Sequence, residues 1–261
     1  MPTALASAPN DNGPLTSATP RELPLNTIAD SLALAGQLIL QADPALWQIV
    51  ALSLQVSLTA CVMGASAGLL LGAWLAVSRF AGHGVLVWLM NTLLALPSVV
   101  VGLLVYLMLS RSGPLGHWGI LFTPKAMVIA QSLLVLPLCA ALARRLVQDG
   151  LRDGGDQLQS MGAGPMLAAL LMLVHQRVGV LTIGLTAFGR AVAEVGAVMI
   201  VGGNIDGVTR VMTTAIALET SMGDLPLALA LGLVLLGVVG GVNLLIGLAQ
   251  PKGGLMREAM A

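Results

Sequence analysis

The 261 residues are 57% hydrophobic and only 9% charged, and 12 basic and 12 acidic side chains leave no net charge. Because a soluble domain carries roughly 25% charged residues, this composition excludes an ordinary soluble protein and predicts an all-α integral membrane protein. The zero net charge provides no basic field for nucleic acid. Cys61 and Cys139 lie in apolar runs without metal or disulfide spacing. Since phosphate-binding loops and nucleophile–base patterns are also missing, we expect no catalytic site, no metal and no bound cofactor.

The first 45 residues precede the long apolar segments. Residues 1–27 are rich in Pro, Ser, Thr and Asn and predict a disordered tail. They do not resemble a secretory signal, because no cation precedes Arg21 and no apolar core follows the start. From Ile28 to Ile39 apolar residues recur at helical spacing, but the segment is shorter and more polar than the roughly 20 apolar residues that a crossing needs. It therefore predicts an interfacial helix.

Five apolar segments follow, and together they predict a transmembrane domain over residues 46–250. The predicted spans are residues 46–77, 85–109, 126–142, 178–201 and 225–249. Pro97 and Pro137 fall inside the second and third spans, where a proline predicts either a packing kink or a gating hinge. The glycines of the fifth span favour close approach of another helix.

The cations between the spans divide unequally between the two sides of the membrane. One side has Arg79, Arg144, Arg145, Arg152, Arg177, Lys252 and Arg257, and the other has Arg21, Arg111, Lys125 and Arg210. Because cytoplasmic loops carry an excess of Lys and Arg, the first side is predicted to be cytoplasmic. This orientation places the N-terminus outside, and the loop 143–177 and the tail 251–261 in the cytoplasm.

The loop 143–177 is the most polar part of the chain and mixes aspartates with arginines. This pattern favours a solvated loop with a short helix ended by glycine, although it also fits a docking surface for a soluble partner.

Within this loop, "DQLQSMGAG" resembles the E-A-A-x-x-x-G loop of ABC-transporter permeases. Asp156 stands at the family's Glu and Gly162 at its Gly, whereas Gln157 and Leu158 replace the two alanines. The resemblance implies that these residues and Ala163 form a short coupling helix in a cleft of the cytoplasmic ATPase.

A second resemblance lies downstream and is more specific. "FGRAVAEVGAVMIVGGNI" is similar to the F-x-R-A-x-x-E-x-G-A run of permeases for sulfate, molybdate and tungstate, and "GVTRVMTTAIALETSMGDLPLALALG" resembles the tungstate branch. This family implies a type I ABC importer (MetI-like) permease fold with five transmembrane helices in the bacterial inner membrane. It also implies a permease homodimer, a separate ATPase dimer that binds ATP and Mg, and an extracytoplasmic oxyanion-binding protein.

Arg190 and Glu194 lie near the middle of the fourth span, where a charge costs about 2.5–3.5 kcal/mol on insertion scales. Their i,i+4 spacing lets the two side chains meet on one helix face. One interpretation is an ion pair that neutralises itself and fixes packing. The other is a substrate path, in which Arg190 attracts a divalent oxyanion and Glu194 moderates that attraction.

The external segment 203–224, with the end of the fourth span, is rich in groups that could donate hydrogen bonds to a tetrahedral oxyanion. The candidates are Gly202, Gly203, Asn204, Thr209, Arg210, Thr213 and Thr214. A turn followed by a re-entrant or interfacial helix explains the same residues. The family resemblance makes the segment a candidate external gate or docking surface for the binding protein.

The resemblance favours the membrane permease of an ATP-driven tungstate importer, with molybdate or sulfate as alternative substrates. An ion-coupled secondary transporter, with Glu194 as a proton relay, is the competing class, although the sequence shows no convincing internal repeat. A membrane-embedded enzyme lacks any nucleophile, metal or cofactor signature.

Overall fold

The computed structural model describes residues 28–249, and the predictions for residues 1–27 and 250–261 lie outside that range. The described chain is helical throughout, apart from turns. The helices are α1 Ile28–Leu40, α2 Pro44–Val77, α3 His83–Ala95, α4 Ser98–Leu109, α5 Pro124–Ser160, α6 Pro165–His175, α7 Arg177–Val192, α8 Gly196–Gly202, α9 Met212–Met222 and α10 Leu225–Ala249. A single 3-10 turn, Gly116–Trp118, lies between α4 and α5.

Helices α2 and α5 form the centre of the bundle and run parallel. A Cβ on Gly64 would lie 2.8 Å from the Ser132 carbonyl oxygen, and one on Gly68 would lie 2.7 Å from the Leu136 carbonyl oxygen. The contacts advance in the same direction along both helices, and the glycines are what allows the backbones to approach so closely. Two parallel helices need a return crossing between them, which α3 and α4 provide.

The second predicted span is broken rather than kinked. Helix α3 ends at Ala95, α4 begins at Ser98, and the two helices are bent by 103°. Leu96 is extended at φ −64° and ψ 132°, as expected before a proline, and Pro97 caps α4. The prediction of one kinked helix over residues 85–109 is therefore wrong in its geometry.

The fourth predicted span is also interrupted, although it contains no proline. Helix α7 ends at Val192 and α8 begins at Gly196. On the other side of α7, helix α6 joins it at a bend of 77°. The prediction that residues 178–201 form one continuous helix is wrong. We refer to residues 193–195 as the helix break.

By length and composition, α2, α5 and α10 can each cross a membrane, and the bent pairs α3–α4 and α6–α7 raise the number of candidate spans to as many as five. The fold is therefore the all-helical, multi-span structure that the composition predicts.

Helix α5 extends far beyond the third predicted span, through residues that hydropathy assigns to a loop. Charged residues end the apolar run after Leu142, but nothing interrupts the helical hydrogen bonds before Ser160. One face stays buried through Ala143, Val147 and Gly150 and packs with α6. Residues 143–177 are thus largely helical rather than an open loop.

Apart from Arg190, the Lys and Arg residues of the described chain separate to two ends of the bundle. One end, which we call the arginine end, contains Arg79, Arg144, Arg145, Arg152 and Arg177, and the opposite end contains Arg111, Lys125 and Arg210. Lys125 and Arg144 lie about 28 Å apart along α5, which matches a hydrocarbon core of about 30 Å. Trp47 and Trp74, both partly exposed, lie about 40 Å apart along α2, as the two aromatic belts of a bilayer would.

Candidate functional site

Arg190 and Glu194 form an ion pair across the end of α7. The distance from Arg190 Nη1 to Glu194 Oε2 is 3.6 Å, and the exposed fractions of the two side chains are 51% and 4%. Arg190 lies in the last turn of α7, where its charge favours the carbonyl ends of the helix. The pair forms as the spacing predicts, but its two members do not share one continuous helix.

The buried carboxylate has a structural task at the helix break. Glu194 Oε1 accepts a hydrogen bond of 3.2 Å from the backbone N–H of Ala197, in the first turn of α8. A carboxylate at this position satisfies an unpaired amide and favours the positive end of the helix. One carboxylate oxygen of Glu194 therefore accepts from the start of α8, and the other faces Arg190.

Two polar side chains from other helices hold the backbone on either side of the break. Gln131 of α5 donates from Nε2 to the Ala191 carbonyl oxygen at 3.0 Å, and Thr213 of α9 donates to the Glu194 carbonyl oxygen at 2.8 Å. Gln131 and Thr213 are both buried, and Gln131 Oε1 has no hydrogen-bond partner among the described residues. Sequence analysis did not select Gln131, although an uncharged polar residue within an apolar span was the signal available.

Tight packing also fixes the break against α4. A Cβ on Gly102 would lie 2.6 Å from the Ala197 Cα, and one on Gly196 would lie 2.6 Å from Val99 Cγ2. Hydrogen bonds and backbone contact together hold residues 193–195 in a single position.

The ion pair lies nearer to the Lys125 end than to the arginine end. Gln131, which bonds to Ala191, lies about 9 Å along α5 from Lys125 and about 20 Å from Arg144. The position is inside the predicted hydrocarbon region but displaced from its centre.

The threonines of the opposite end donate inward, to the protein's own backbone. Thr209 donates to the Gly202 carbonyl oxygen at 2.6 Å, and Thr214 donates to the Val211 carbonyl oxygen at 3.1 Å. Thr213 donates to Glu194, as described above. In this conformation the hydroxyl protons of the three threonines are therefore committed to backbone carbonyls of α8, of the helix break and of the residue before α9.

The remaining candidates of this end form the turn between α8 and α9. Gly203 and Asn204 adopt positive φ angles of 71° and 51°, which a left-handed turn requires. Asn204 Nδ2 lies 3.4 Å from the Thr214 carbonyl oxygen. The short loop of residues 203–211 thus has a defined conformation.

Arg210 lies between two carboxylates that sequence analysis did not assign. Its Nη1 is 3.1 Å from Asp206 Oδ1 and 3.9 Å from Glu219 Oε1, and Glu219 is almost fully buried. These three residues line a pocket with Gln48 and Leu227, from the starts of α2 and α10. Arg210 therefore links the turn between α8 and α9 to α9 itself, and two carboxylates already face its single positive charge.

At the arginine end, the candidate coupling residues form the C-terminus of α5. Asp156 and Gln157 are exposed, and Leu158 is partly buried. Gly162 has φ +83°, and the Ala163 N–H donates to the Leu158 carbonyl oxygen at 3.0 Å. This six-to-one bond after a left-handed glycine is a Schellman motif, which explains why glycine stands at residue 162.

The coupling segment is therefore not a separate short helix. It is the end of a 37-residue helix that also carries Gln131. Met161, adjacent to the motif, is 83% exposed and adds an apolar contact surface at the tip.

No protein-family model matches the chain. Curated relatives do match it over most of their length. The chain is 42% identical over 223 residues to the tungstate uptake system permease protein TupB of Peptoclostridium acidaminophilum, which covers 84% of the chain and 96% of that protein. It is 42% identical over 202 residues to a probable anion ABC transporter permease of Haloferax volcanii, covering 76% and 87%. The chain belongs to the ABC-transporter permeases of the tungstate, molybdate and sulfate group.

The molybdenum transport system permease ModB of Escherichia coli is more distant, with 31% identity over 179 residues, or 65% of the chain and 77% of ModB. Membership of this family makes the chain a multi-pass membrane permease, the non-catalytic membrane component of an ABC transporter. It also implies an ATPase and a substrate-binding protein as partners.

Proposed function

We propose that the chain is the permease of an ATP-driven tungstate importer of the cytoplasmic membrane, with its arginine end facing the cytoplasm. The assignment of tungstate as the substrate rests on sequence identity. The chain is 42% identical to TupB in a match that covers 96% of TupB, but it is 31% identical to ModB in a match that covers 77% of ModB. The excess of arginines at one end supports the orientation. Molybdate remains the alternative substrate, since it has the same charge and nearly the same size.

The permease works as a homodimer in this proposal, with two ATPase subunits on the cytoplasmic side. Asp156, Gln157, Leu158, Gly162 and Ala163 contact the ATPase. Their position at the exposed tip of α5 supports this role, because movement of the tip would be carried along a single helix to Gln131 and the helix break. Alternating access would follow from that movement.

Arg190 and Glu194 line the substrate path. The half-exposed guanidinium retains an open edge while Glu194 occupies the other, so an oxyanion can reach the cation without first breaking the ion pair. Partial neutralisation by Glu194 keeps the affinity modest, which passage through the site requires.

The turn that contains Gly202, Gly203, Asn204, Thr209, Arg210, Thr213 and Thr214 acts as an external gate or as a docking surface for the binding protein. Its inward hydrogen bonds support a gate that is closed in this conformation.

Uptake of tungstate by proteoliposomes that contain the permease, the ATPase and the binding protein tests the transport function. We expect uptake to require ATP, to persist when the proton gradient is collapsed, and to be inhibited more strongly by unlabelled tungstate than by sulfate. Uptake that depends on the proton gradient and not on ATP would exclude the proposal and favour a secondary transporter.

Two variants, Arg190→Ala and Arg190→Ala/Glu194→Ala, test whether Arg190 and Glu194 line the substrate path. The single variant leaves a buried carboxylate without its cation, so assembly and transport should both decrease. The double variant should recover assembly, measured by size-exclusion chromatography, without recovering transport. Recovered transport in the double variant would mean that Arg190 serves only to neutralise Glu194.

A further inference from the structure

One long part of the chain has cations and no carboxylates at all. Between Pro44 and Gln148 the sequence contains no Asp or Glu, whereas its basic residues are Arg79, Arg111, Lys125, Arg144 and Arg145. A cation that is buried in an apolar domain needs a counter-charge or another polar partner, and here α2 to α5 provide no carboxylate before residue 149.

Arg144 and Arg145 of α5 line a small pocket at the arginine end, between the end of α2 and the middle of α3. Asn91 of α3 adds an amide to the same pocket, which is more polar than apolar. The Nε of Arg144 is buried and has no hydrogen-bond partner among the described residues. A buried guanidinium N–H without a partner is costly, so the pocket is incomplete as a protein-only structure.

The nearest carboxylate in sequence is already engaged elsewhere. Asp149 Oδ1 lies 3.3 Å from Arg152 Nη1, and both side chains are largely exposed. Asp153 and Asp156 lie farther along α5, about 12 Å or more from Arg145. No ion pair of Arg144 or Arg145 is present in the part of the chain that the structure covers.

The pocket lies at the depth of lipid headgroups. Arg144 is about 28 Å along α5 from Lys125, so the two residues bracket one thickness of hydrocarbon. Trp74 and Trp88, on the two helices that flank the pocket, are 39% and 65% exposed, and Trp74 stacks on Phe80 with ring centroids 5.4 Å apart. Exposed tryptophans at this level are typical of a membrane interface.

We propose that this pocket binds the phosphodiester headgroup of an anionic phospholipid from the leaflet at the arginine end. Guanidinium groups match phosphate oxygens in charge and in fork geometry, and the Asn91 amide can donate a further hydrogen bond. The acyl chains would continue from the pocket along the same face of α3, where Leu94, one turn beyond Met90, is 40% exposed. The lipid headgroup supplies the negative charge that the sequence between Pro44 and Gln148 lacks. By contacting Asn91 and the two arginines, it also joins α3 to α5. This site does not depend on which oxyanion is transported.

Native mass spectrometry of the purified permease complex, exchanged into mixed micelles with equal phosphatidylglycerol and phosphatidylcholine, tests the proposal. We expect the wild-type complex to retain phosphatidylglycerol preferentially. The variant Arg144→Gln/Arg145→Gln should lose roughly thirtyfold of that preference, because each interfacial cation contributes about fivefold. The control Arg111→Gln/Lys125→Gln removes the same charge at the opposite end and should keep the preference.

Two further measurements separate the alternatives. Inorganic phosphate at millimolar concentration should not displace the lipid; displacement would mean that the pocket takes a free oxyanion, and it would overturn the lipid assignment. If the glutamine variant fails to fold, Arg144→Lys/Arg145→Lys keeps the charge but loses the guanidinium fork, and Asn91→Leu covers the pocket while leaving both arginines in place. We expect both to reduce the preference severalfold, and unchanged retention in both would refute the site.

Discussion

Replacing Glu194 by Gln is the most informative single change at the proposed substrate path. The variant removes the negative charge beside Arg190 but keeps an oxygen that can accept from the Ala197 N–H, which Glu194 Oε1 accepts at 3.2 Å. The cap of α8 should therefore survive, and the helix break should keep its position. Glu194→Gln should therefore remove only the negative charge that weakens the attraction of Arg190 for an oxyanion.

The expected magnitude follows from the distances. Glu194 Oε2 lies 3.6 Å from Arg190 Nη1, and half of the arginine side chain is exposed. An oxyanion on the open edge of the guanidinium would lie roughly 6 Å from the carboxylate. With water-like screening, the repulsion at that distance is about 0.7 kcal/mol per unit charge, or about 1.4 kcal/mol for a dianion. Removing it should tighten oxyanion binding about tenfold.

Tighter binding in the path should slow release and hence transport. We expect the Glu194→Gln complex to bind tungstate about tenfold more tightly without the binding protein, measured by equilibrium dialysis with elemental analysis. Its maximal uptake rate should fall by a similar factor. The control Glu194→Leu also removes the cap of α8, and should lower thermal stability by about 1 kcal/mol more than Glu194→Gln does.

Two results would refute this reasoning. If Glu194→Gln transports at the wild-type rate with the wild-type affinity, no oxyanion approaches Arg190 during transport. If the variant is inactive because it fails to assemble, the carboxylate charge is needed for the fold, and the ion pair is structural.

The other predictions concern packing, coupling and the link between them. Gly68→Val should prevent stable assembly through overpacking of about 1–3 kcal/mol, whereas Gly240→Ala, which has open space around it, should be tolerated in a thermal-shift assay. Asp156→Ala should reduce co-purification with the ATPase while leaving thermal stability within about 0.5 kcal/mol, and exposed Asp153→Ala is its matched control; equal effects of the two would contradict a specific contact. Gln131→Met removes both the bond to α7 and the unpartnered Oε1, so stability should change little while uptake per ATP hydrolysed falls; unchanged coupling would show that the bond transmits nothing.

The composition was sufficient to predict a helical membrane domain, but hydropathy could not predict where helices break. A proline within an apolar run fits either a kink or a break, because the local signal is the same. At Pro97 the outcome depends on tertiary packing, since α4 must approach α8 closely enough for Gly102 to contact Ala197. In α5 the opposite holds: Pro137 lies inside a helix that continues for many residues.

The sequence predicts that Arg190 and Glu194 belong to the candidate site, but it does not predict what else their side chains contact. The i,i+4 spacing of Arg190 and Glu194 predicts that they meet, and they do. Their unequal exposure depends on the helix break, and the residue types between Arg190 and Val195 contain no signal that predicts a break. The partners that fix the break, Gln131 and Thr213, come from helices distant in sequence, so spacing alone could not find them.

This asymmetry bears on the two interpretations of the ion pair. An ion pair that served packing alone would not need an accessible guanidinium, because an exposed charge contributes little to stability. Here the carboxylate is buried and bonded to α8, while half of the arginine remains open. The protein thus uses Glu194 to fix the helix break and leaves one edge of Arg190 accessible. An accessible cation on a rigidly held break, inside the apolar region, favours the proposed anion path over a role in packing alone.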